Sequence, residues 1–133
     1  MRRVLANGCF DVLHVGHVWH LEAARLLGDT LTVALTLDEF VDKGPGRPVN
    51  SWAHRARMLL ALRCVDAVIP SESAPQAIRE FRPEVFVKGI DYRMSPLLDQ
   101  DWDACNEVGA ELRLTDTPKI GSGDIIEMIR RLG

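Results

Sequence analysis

Short apolar runs alternate with longer amphipathic segments along the whole chain. Five of the short runs are bounded by glycine, proline or polar residues, which is typical of buried β-strands. They lie at residues 3–7, 30–37, 66–70, 85–89 and 111–115. Gly8 closes the first run and Pro70 ends the third. The pattern therefore predicts five short strands.

In the segments between these runs, apolar residues recur at helical spacing. In the first such segment, Gly16–Leu27, apolar residues recur at three-residue steps from Val18, and Gly28 is expected to stop the helix. Four further helices are predicted. One has Ser51 as its N-cap and runs through Leu62, one begins near Ala74, and two cover residues 98–108 and 122–132.

Strands and helices alternate in this prediction from one end of the chain to the other. Such a chain forms right-handed βαβ units, which place the strands in one sheet. We predict a Rossmann-like, doubly wound α/β fold, with a five-stranded parallel sheet, helices on both faces and a single domain over residues 1–133. Ligands of these sheets bind beyond the carboxyl ends of the strands. The loops of interest are residues 8–17, 38–50, 88–97 and 115–122.

Composition and charge narrow the class of protein. The chain has 133 residues, a net charge of -3 and 47% hydrophobic residues, values that are ordinary for a globular domain. No basic stripe predicts nucleic-acid binding, and no apolar stretch predicts a membrane span. Cys9, Cys64 and Cys105 form neither a CxxC pair nor a zinc pattern. Scattered thiols without a signal-peptide pattern predict a cytoplasmic protein.

The segment GCFDVLHVGH, residues 8–17, joins the first predicted strand to the first helix. It lacks the glycine patterns of dinucleotide-binding folds and of P-loops. A turn that enters a helix N-terminus still favours an anion, because free N–H groups and the helix dipole point toward it. Gly8 permits close backbone approach, and Gly16 leaves space for a phosphate. His14 and His17 are spaced to point at one site.

Besides a catalytic site for an anion, three interpretations of these histidines are possible. They can be packing residues capped by a carboxylate such as Asp11. They can bind a metal with His20 as a third ligand, although the spacing turns His20 away from His14 and no carboxylate stands at a familiar distance. The turn can also bind an anion without catalysing a reaction. We favour an anion site and predict no protein-bound metal.

The same residues carry a resemblance to a known family. HVGH, preceded by GCFDVL, resembles the HxGH signature of the cytidylyltransferase-like nucleotidyltransferases. WAHR (52–55), RCVDAVIP (63–70) and EVFVKGIDYR (84–93) follow in the order that resembles glycerol-3-phosphate cytidylyltransferase and heptose-1-phosphate adenylyltransferase. KGPGRPVN (43–50) is most similar to the heptose enzyme. The resemblance covers nearly the whole chain.

This resemblance implies nucleotidyl transfer. A phosphate oxygen of the acceptor attacks the α-phosphorus of a nucleoside triphosphate, and pyrophosphate leaves. The acceptor is already anionic, so catalysis depends on positioning and charge stabilisation. His14 and His17 are implied as catalytic residues, and Mg²⁺ is expected to be held mainly by the NTP phosphates. The implied nucleotide-binding residues of the turn are Gly8, Cys9, Phe10 and Gly16.

Basic residues extend the implied site. Lys43 is expected to act in catalysis and Arg47 in substrate binding, from a loop that closes over the phosphates. Arg55 and Arg63 lie eight residues apart in the predicted second helix, which puts them on roughly one face as substrate-binding residues. Their alternatives are solvated side chains and surface salt bridges. Asp11 is assigned to substrate binding, with a role in Mg²⁺ binding as an alternative, and capping of the following turn is about as plausible.

Two later segments complete the implied site. Lys88 and Asp91 are expected to bind the nucleotide. Tyr92 is expected to contact the substrate, and structural packing is equally plausible for it. In KIGSGD, residues 119–124, Ser122 is expected to bind the triphosphate at the start of the last helix. Glycines flank Ser122 where the family carries Ser and Thr.

The resemblance and the residues together predict an enzyme. It transfers a nucleotidyl group from ATP or CTP to a phosphorylated sugar or polyol, and is most similar to heptose-1-phosphate adenylyltransferase. Glycerol-3-phosphate cytidylyltransferase is the alternative within the class. A nucleotide-binding module that senses its ligand without turnover is the alternative from another class, and the altered segment 119–124 favours it. We expect a homodimer, as family members usually form, with no nucleic-acid or membrane partner.

Overall fold

The computed structural model describes residues 1–90, 94–118 and 122–132. Strands and α-helices alternate as predicted. In chain order they are β1 (Arg3–Gly8), α1 (Val15–Arg25), β2 (Thr30–Thr36), α2 (Trp52–Leu60), β3 (Ala67–Ser71), α3 (Ala74–Phe81), β4 (Val85–Gly89), α4 (Leu97–Val108), β5 (Glu111–Thr115) and α5 (Ser122–Leu132). A short 3₁₀ turn, Asp38–Phe40, follows β2.

The five strands form one parallel sheet in the order β3-β2-β1-β4-β5. The chain moves in one direction from β1 to β3 and then crosses to β4 on the other side of β1. The point where the order reverses therefore lies between β1 and β4, and ligands of doubly wound sheets bind beyond it. The carboxyl ends of these strands, at Gly8 and Gly89, border that crevice.

Apolar cores cover both faces of the sheet, because successive strand residues point to opposite sides. Val4 and Ala6 of β1 pack with residues of α1 and α2. Leu5, between them, packs with residues of α3 and α4. The predicted doubly wound fold with helices on both faces is confirmed.

The second helix is shorter than predicted. It ends at Leu60, and the backbone N–H groups of Ala61 and Leu62 bond three residues back, which tightens the last turn. The chain must turn here to enter β3. Arg63 lies in that turn, outside the helix. The prediction that Arg55 and Arg63 share a helix face is therefore wrong.

The first helix also ends early, at Arg25 and not at Leu27. The turn that follows packs against the start of β1. A Cβ atom added at Gly28 would lie 2.5 Å from the backbone oxygen of Arg2. Only glycine allows so close a backbone contact, which explains why this position is a glycine.

Candidate anion-binding site at the first crossover turn

His14 and His17 form the N-terminus of α1. His14 is the N-cap, and its Nδ1 accepts a hydrogen bond from the backbone N–H of Gly16 at 3.1 Å. The backbone N–H of His14 donates in turn to Nδ1 of His17 at 3.3 Å. Two imidazoles thus make the reciprocal capping arrangement that Ser or Thr and Glu usually make. The caps orient both rings at the helix start.

These caps also determine which ring nitrogen carries a proton. Because each Nδ1 accepts a hydrogen bond, the neutral form of each ring carries its hydrogen on Nε2. The two rings are stacked, with centroids 3.8 Å apart and planes inclined by 25°. Nε2 of His14 is buried and has no hydrogen-bond partner among the described residues. Burial lowers the pKa of His14, which favours the neutral ring.

An unsatisfied, buried N–H donor costs free energy until an acceptor reaches it. The Nε2–H of His14 is such a donor, and it stands beside a helix N-terminus whose dipole attracts negative charge. Gly16, in the first turn of that helix, has no side chain to obstruct a ligand. The arrangement is suited to oxygens of an anion such as a phosphate.

Phe10 supports the histidine pair from the strand side. Its ring meets the ring of His17 edge to face, with centroids 5.0 Å apart. It also covers Gly8, where an added Cβ would lie 2.8 Å from Cε2 of Phe10. The backbone of Phe10 is left-handed, with φ of 44°, a conformation that costs free energy for a residue with a side chain. A side chain at Gly8 would therefore have to displace the ring of Phe10.

Asp11 joins the first crossover turn to residues 47–50. Its carboxylate accepts hydrogen bonds from Nε of Arg47 and the N–H of Val49, both at 2.7 Å, and from the N–H of Asn50 at 2.9 Å. The side-chain amide of Asn50 donates to the carbonyl of Asp11 at 2.7 Å. Burial opposes ionisation of Asp11, but the bonds from Asn50, Val49 and Arg47 outweigh it and lower its pKa.

These hydrogen bonds between Asp11 and residues 47–50, called the 47–50 clip below, give Asp11 a structural role. The residue is 2% exposed, and both carboxylate oxygens are engaged by the loop. It holds the 47–50 segment against the turn that carries the histidines. Its contact with a substrate stays a prediction.

Arg55 is a buried arginine that ties together three segments at the same edge of the sheet. It is 1% exposed. Its guanidinium donates to the carbonyl oxygens of Cys9 and Thr36, each at 2.9 Å, and of Asn50 at 3.0 Å. It also pairs with the carboxylate of Asp38. The sequence suggested a substrate contact for Arg55; the geometry shows a residue that fixes the loops, and the contact stays a prediction.

The other predicted basic residues differ in their surroundings. The side chain of Arg47 is 12% exposed, and its Nη2 is buried with no hydrogen-bond partner within the part of the chain that is described. Lys43 is exposed in the same loop, and Arg63 is exposed in the turn after α2. Arg47 is therefore the one of these three that the structure packs against the first crossover turn. The assigned roles of all three stay predictions.

Lys88 stands at the carboxyl end of β4, on the face covered by α3 and α4. Its Nζ lies 3.7 Å from Oδ2 of Asp101, which belongs to α4. Sequence reasoning missed Asp101. Its spacing could have revealed it. Asp101 precedes Ala104 by three residues and Cys105 by four, which places its carboxylate on the buried face of the helix.

His20 contacts the end of β5. Its Nδ1 lies 2.6 Å from the hydroxyl oxygen of Thr115. Among the described residues, no group of three or more His, Cys, Asp or Glu side chains is arranged to hold a metal ion. The Mg²⁺ expected to be held mainly by the NTP phosphates stays a prediction.

Three predicted site residues cannot be placed. Asp91 and Tyr92 lie outside the described residues, as does the side chain of Ser122, whose backbone begins α5. In the described ranges, no helix has both the length and the apolar character that crossing a bilayer requires.

Curated relatives align along most of this chain. Bifunctional protein HldE of Aeromonas salmonicida is 44% identical over 135 residues, which cover 98% of this chain and 28% of the relative. Bifunctional protein HldE of Streptomyces coelicolor is 55% identical over 93 residues, covering 67% of this chain and 20% of the relative. The chain thus spans less than a third of the length of these relatives.

Solved structures share the fold. The lipopolysaccharide core biosynthesis protein of Thermoplasma volcanium has a TM-score of 0.71 and 27% identity, covering 91% of this chain and 99% of that one. Pantoate-beta-alanine ligase of Francisella tularensis, complexed with beta-gamma ATP and beta-alanine, has a TM-score of 0.65 and covers 92% of this chain and 61% of that one. At 14% identity, the second likeness shows the fold alone.

A family model confirms the resemblance that the HxGH segment indicated. The model is described as Cytidylyltransferase-like and matches residues 5–119, which include the histidine pair, the 47–50 clip and Lys88. The match extends from β1 to beyond β5. The chain therefore belongs to the Cytidylyltransferase-like family of nucleotidyltransferases.

Proposed function

We propose that this domain transfers a nucleotidyl group from a nucleoside triphosphate to a phosphorylated sugar, with ATP and a heptose-1-phosphate-type acceptor as the preferred pair. One observation carries the proposal: two stacked imidazoles at the start of α1 use Nδ1 for the helix caps, and Nε2 of His14 is buried with no hydrogen-bond partner in the described ranges. Family membership supports the reaction class. The loop KGPGRPVN supports the acceptor class.

In this reaction a phosphate oxygen of the acceptor forms a bond to the α-phosphorus, and the bond to pyrophosphate breaks. The Nε2–H groups of His14 and His17 donate to phosphate oxygens on which negative charge accumulates. The neutral form of each ring already carries a proton on Nε2, so donation from that form requires no proton to be gained or lost during the step. Donors that are already oriented need little reorganisation, which is why such groups lower a barrier effectively.

The surrounding residues maintain this geometry. Arg55 holds the backbone after β1 against the end of β2. Asp11 holds the 47–50 segment against the same turn. Arg47 brings a buried cation close to the turn, which offsets the negative charge of two phosphorylated ligands. Lys43, exposed in the same loop, approaches the phosphates when the loop closes over them.

Mg²⁺, held mainly by the triphosphate oxygens and water, would neutralise charge on the leaving pyrophosphate. Both carboxylate oxygens of Asp11 are occupied by the loop, so that residue fits a positioning role better than a metal-binding one. A homodimer and a cytoplasmic location accompany the proposal as expectations from the resemblance.

A second candidate, from another class, is a module that binds nucleotide without turnover. The observation that favours it is the segment KIGSGD, where glycines flank Ser122 and replace hydroxyl residues of the family. Fewer hydroxyl donors would weaken stabilisation of the triphosphate at the start of α5. The glycerol-3-phosphate and CTP pair is the alternative within the enzyme class.

Pyrophosphate release tests these candidates directly. The protein is incubated with ATP or CTP and with heptose-1-phosphate, glycerol-3-phosphate or no acceptor, in the presence of Mg²⁺. We expect release that requires ATP and the heptose phosphate. Release with CTP and glycerol-3-phosphate would replace the preferred pair, and nucleotide binding without release for any pair would support the sensor.

A further inference from the structure

A second buried polar cluster lies at the carboxyl ends of the strands. Asp101, in the middle of α4, is 2% exposed. It shares a helix face with Ala104 and Cys105, which pack in the core beneath the sheet. An aspartate is rarely found fully buried unless another group compensates its charge.

Lys88 supplies the compensating charge from a different element. Its Nζ lies 3.7 Å from Oδ2 of Asp101, and the two side chains are 13% and 3% exposed. Lys88 leaves β4 on the same face as Phe86, whose ring centroid is 6.0 Å from Nζ. The lysine stem therefore runs along the sheet end toward α4.

The contact between the two charges is loose. A charge-assisted hydrogen bond is usually about 2.7–2.9 Å long, and Oδ2 of Asp101 accepts no hydrogen bond within the described ranges. Burial raises the pKa of Asp101, and the nearby charge of Lys88 opposes that rise only in part. Buried pairs of this kind add little net stability, so packing alone does not explain why both charges are present.

The backbone of Lys88 is fixed from the opposite side. The hydroxyl of Thr115, at the end of β5, donates to the carbonyl of Lys88 at 3.5 Å. The same hydroxyl oxygen lies 2.6 Å from Nδ1 of His20 in α1. Neighbouring elements thus hold Lys88 at its backbone, and α4 holds it at its side chain.

We infer that Asp101 is a positioning residue that holds the ammonium group of Lys88 in place for the bound nucleoside triphosphate. The inference rests on the proposed function, since Lys88 meets a nucleotide only if one occupies the crevice beyond β1 and β4. The histidine pair begins α1, which covers the other face of the sheet. Lys88 and the histidines therefore approach the ligand from opposite faces.

This placement separates two effects on kinetics. The histidines act on the reacting phosphates, so their loss lowers kcat. Lys88 binds the nucleotide equally before and during the reaction, so weakening it raises KM with kcat nearly unchanged. A role in packing alone would change stability and leave both kinetic constants as they are.

Asp101→Asn is the informative substitution, because it keeps the shape of the side chain and removes its charge. We expect KM for the nucleoside triphosphate to rise about tenfold, as for loss of one charge-assisted contact, with kcat changed less than about threefold. Asp103→Asn, an exposed change of the same charge on α4, is the matched control and should leave KM unchanged. An unchanged KM in Asp101→Asn overturns the inference.

A double-mutant cycle shows whether Asp101 acts through Lys88. In a Lys88→Met background, Asp101→Asn should raise KM no further, and it should restore thermal stability because it removes an uncompensated buried charge. Independent, multiplying effects on KM would overturn the inference. If the wild type binds ATP without turnover, the proposed function fails, and the same cycle is read from Kd by calorimetry. A wild type that binds no nucleotide overturns both.

Discussion

The imidazole rings of His14 and His17 are stacked 3.8 Å apart, and each accepts a backbone hydrogen bond at Nδ1. The two Nδ1 atoms therefore cap the helix, and Nε2 of His14 has no hydrogen-bond partner among the described residues. This division means that the structural and chemical parts of each histidine can be removed separately.

Substitution of His14 by Asn or Gln separates the helix-capping role of Nδ1 from the donor role of Nε2–H. Asn places an acceptor near the position of Nδ1 and is a strong N-cap, so His14→Asn should keep the unfolding free energy within about 1 kcal/mol. It lacks the Nε2–H donor, and kcat should fall by about 10²–10³. His14→Gln restores a donor at the longer reach and should recover part of kcat. Steady-state pyrophosphate release and urea denaturation measure the two effects, and equal kcat losses in both variants would contradict the division.

The burial of His14 has a consequence for stability against pH. Its pKa is lowered in the folded protein, so the unfolded chain binds the proton more readily. The contribution of this residue is therefore fully present above its ordinary pKa of about 6.5 and is lost as the pH falls below it. Urea denaturation at pH 7.5 and 5.5 should show a smaller loss of stability in His14→Asn than in the wild type. An identical loss would mean that His14 has an ordinary pKa.

The alternation of strands and helices was sufficient to predict the sheet and its covered faces. The partners of the buried charges were not predictable in the same way. Asp11 meets Val49 and Asn50 across nearly forty residues, and His20 meets Thr115 across 95. Such pairs depend on which loops the fold brings to one edge of the sheet. Local spacing does not contain that information.

Arg55 and Arg63 illustrate the same limit in a helix. Spacing by eight residues places two side chains on one face only while the helix continues, and α2 ends between them. The sequence carries only a weak signal for the end of α2, because no glycine or proline stands there. The burial of Arg55 was equally hidden, since its carbonyl partners belong to the turn after β1, the end of β2 and the segment before α2.

Arg55 should be important for stability. Arg55→Lys leaves the carbonyl groups of Cys9, Thr36 and Asn50 without their donor, and we expect a loss of about 3 kcal/mol or more in unfolding free energy. Arg57→Lys, a change of the same type at an exposed position of α2, should cost less than about 0.5 kcal/mol. Chemical denaturation compares them. Similar losses in the two variants would show that the buried hydrogen bonds of Arg55 contribute little.

Asp11 should control the order of the loop that carries Lys43 and Arg47. Asp11→Asn removes the charge that binds Arg47 and weakens the bonds to the 47–50 backbone. We expect limited trypsin digestion to cleave after Lys43 about tenfold faster, because local opening becomes more frequent. Glu39→Gln, at an exposed position nearby, is the control. An unchanged cleavage rate in Asp11→Asn would show that the clip does not hold the loop.

The pKa of Asp11 is lowered in the folded protein, so the stability that its hydrogen bonds to residues 47–50 contribute depends on pH. The carboxylate stabilises the fold above its ordinary pKa of about 3.9, and this contribution is lost as the pH falls through the lower, folded value. Wild-type stability should therefore fall more steeply below pH 4 than that of Asp11→Asn. Parallel acid denaturation curves would contradict this.

The state of the two imidazoles can be observed directly by ¹⁵N–¹H NMR of histidine-labelled protein, with and without a non-hydrolysable ATP analogue and Mg²⁺. We expect the neutral rings of His14 and His17 to carry the proton on Nε2 in the free protein, and both Nε2–H resonances to move downfield when the analogue binds. A proton on Nδ1 in either ring, or resonances that do not respond to bound nucleotide, would contradict it.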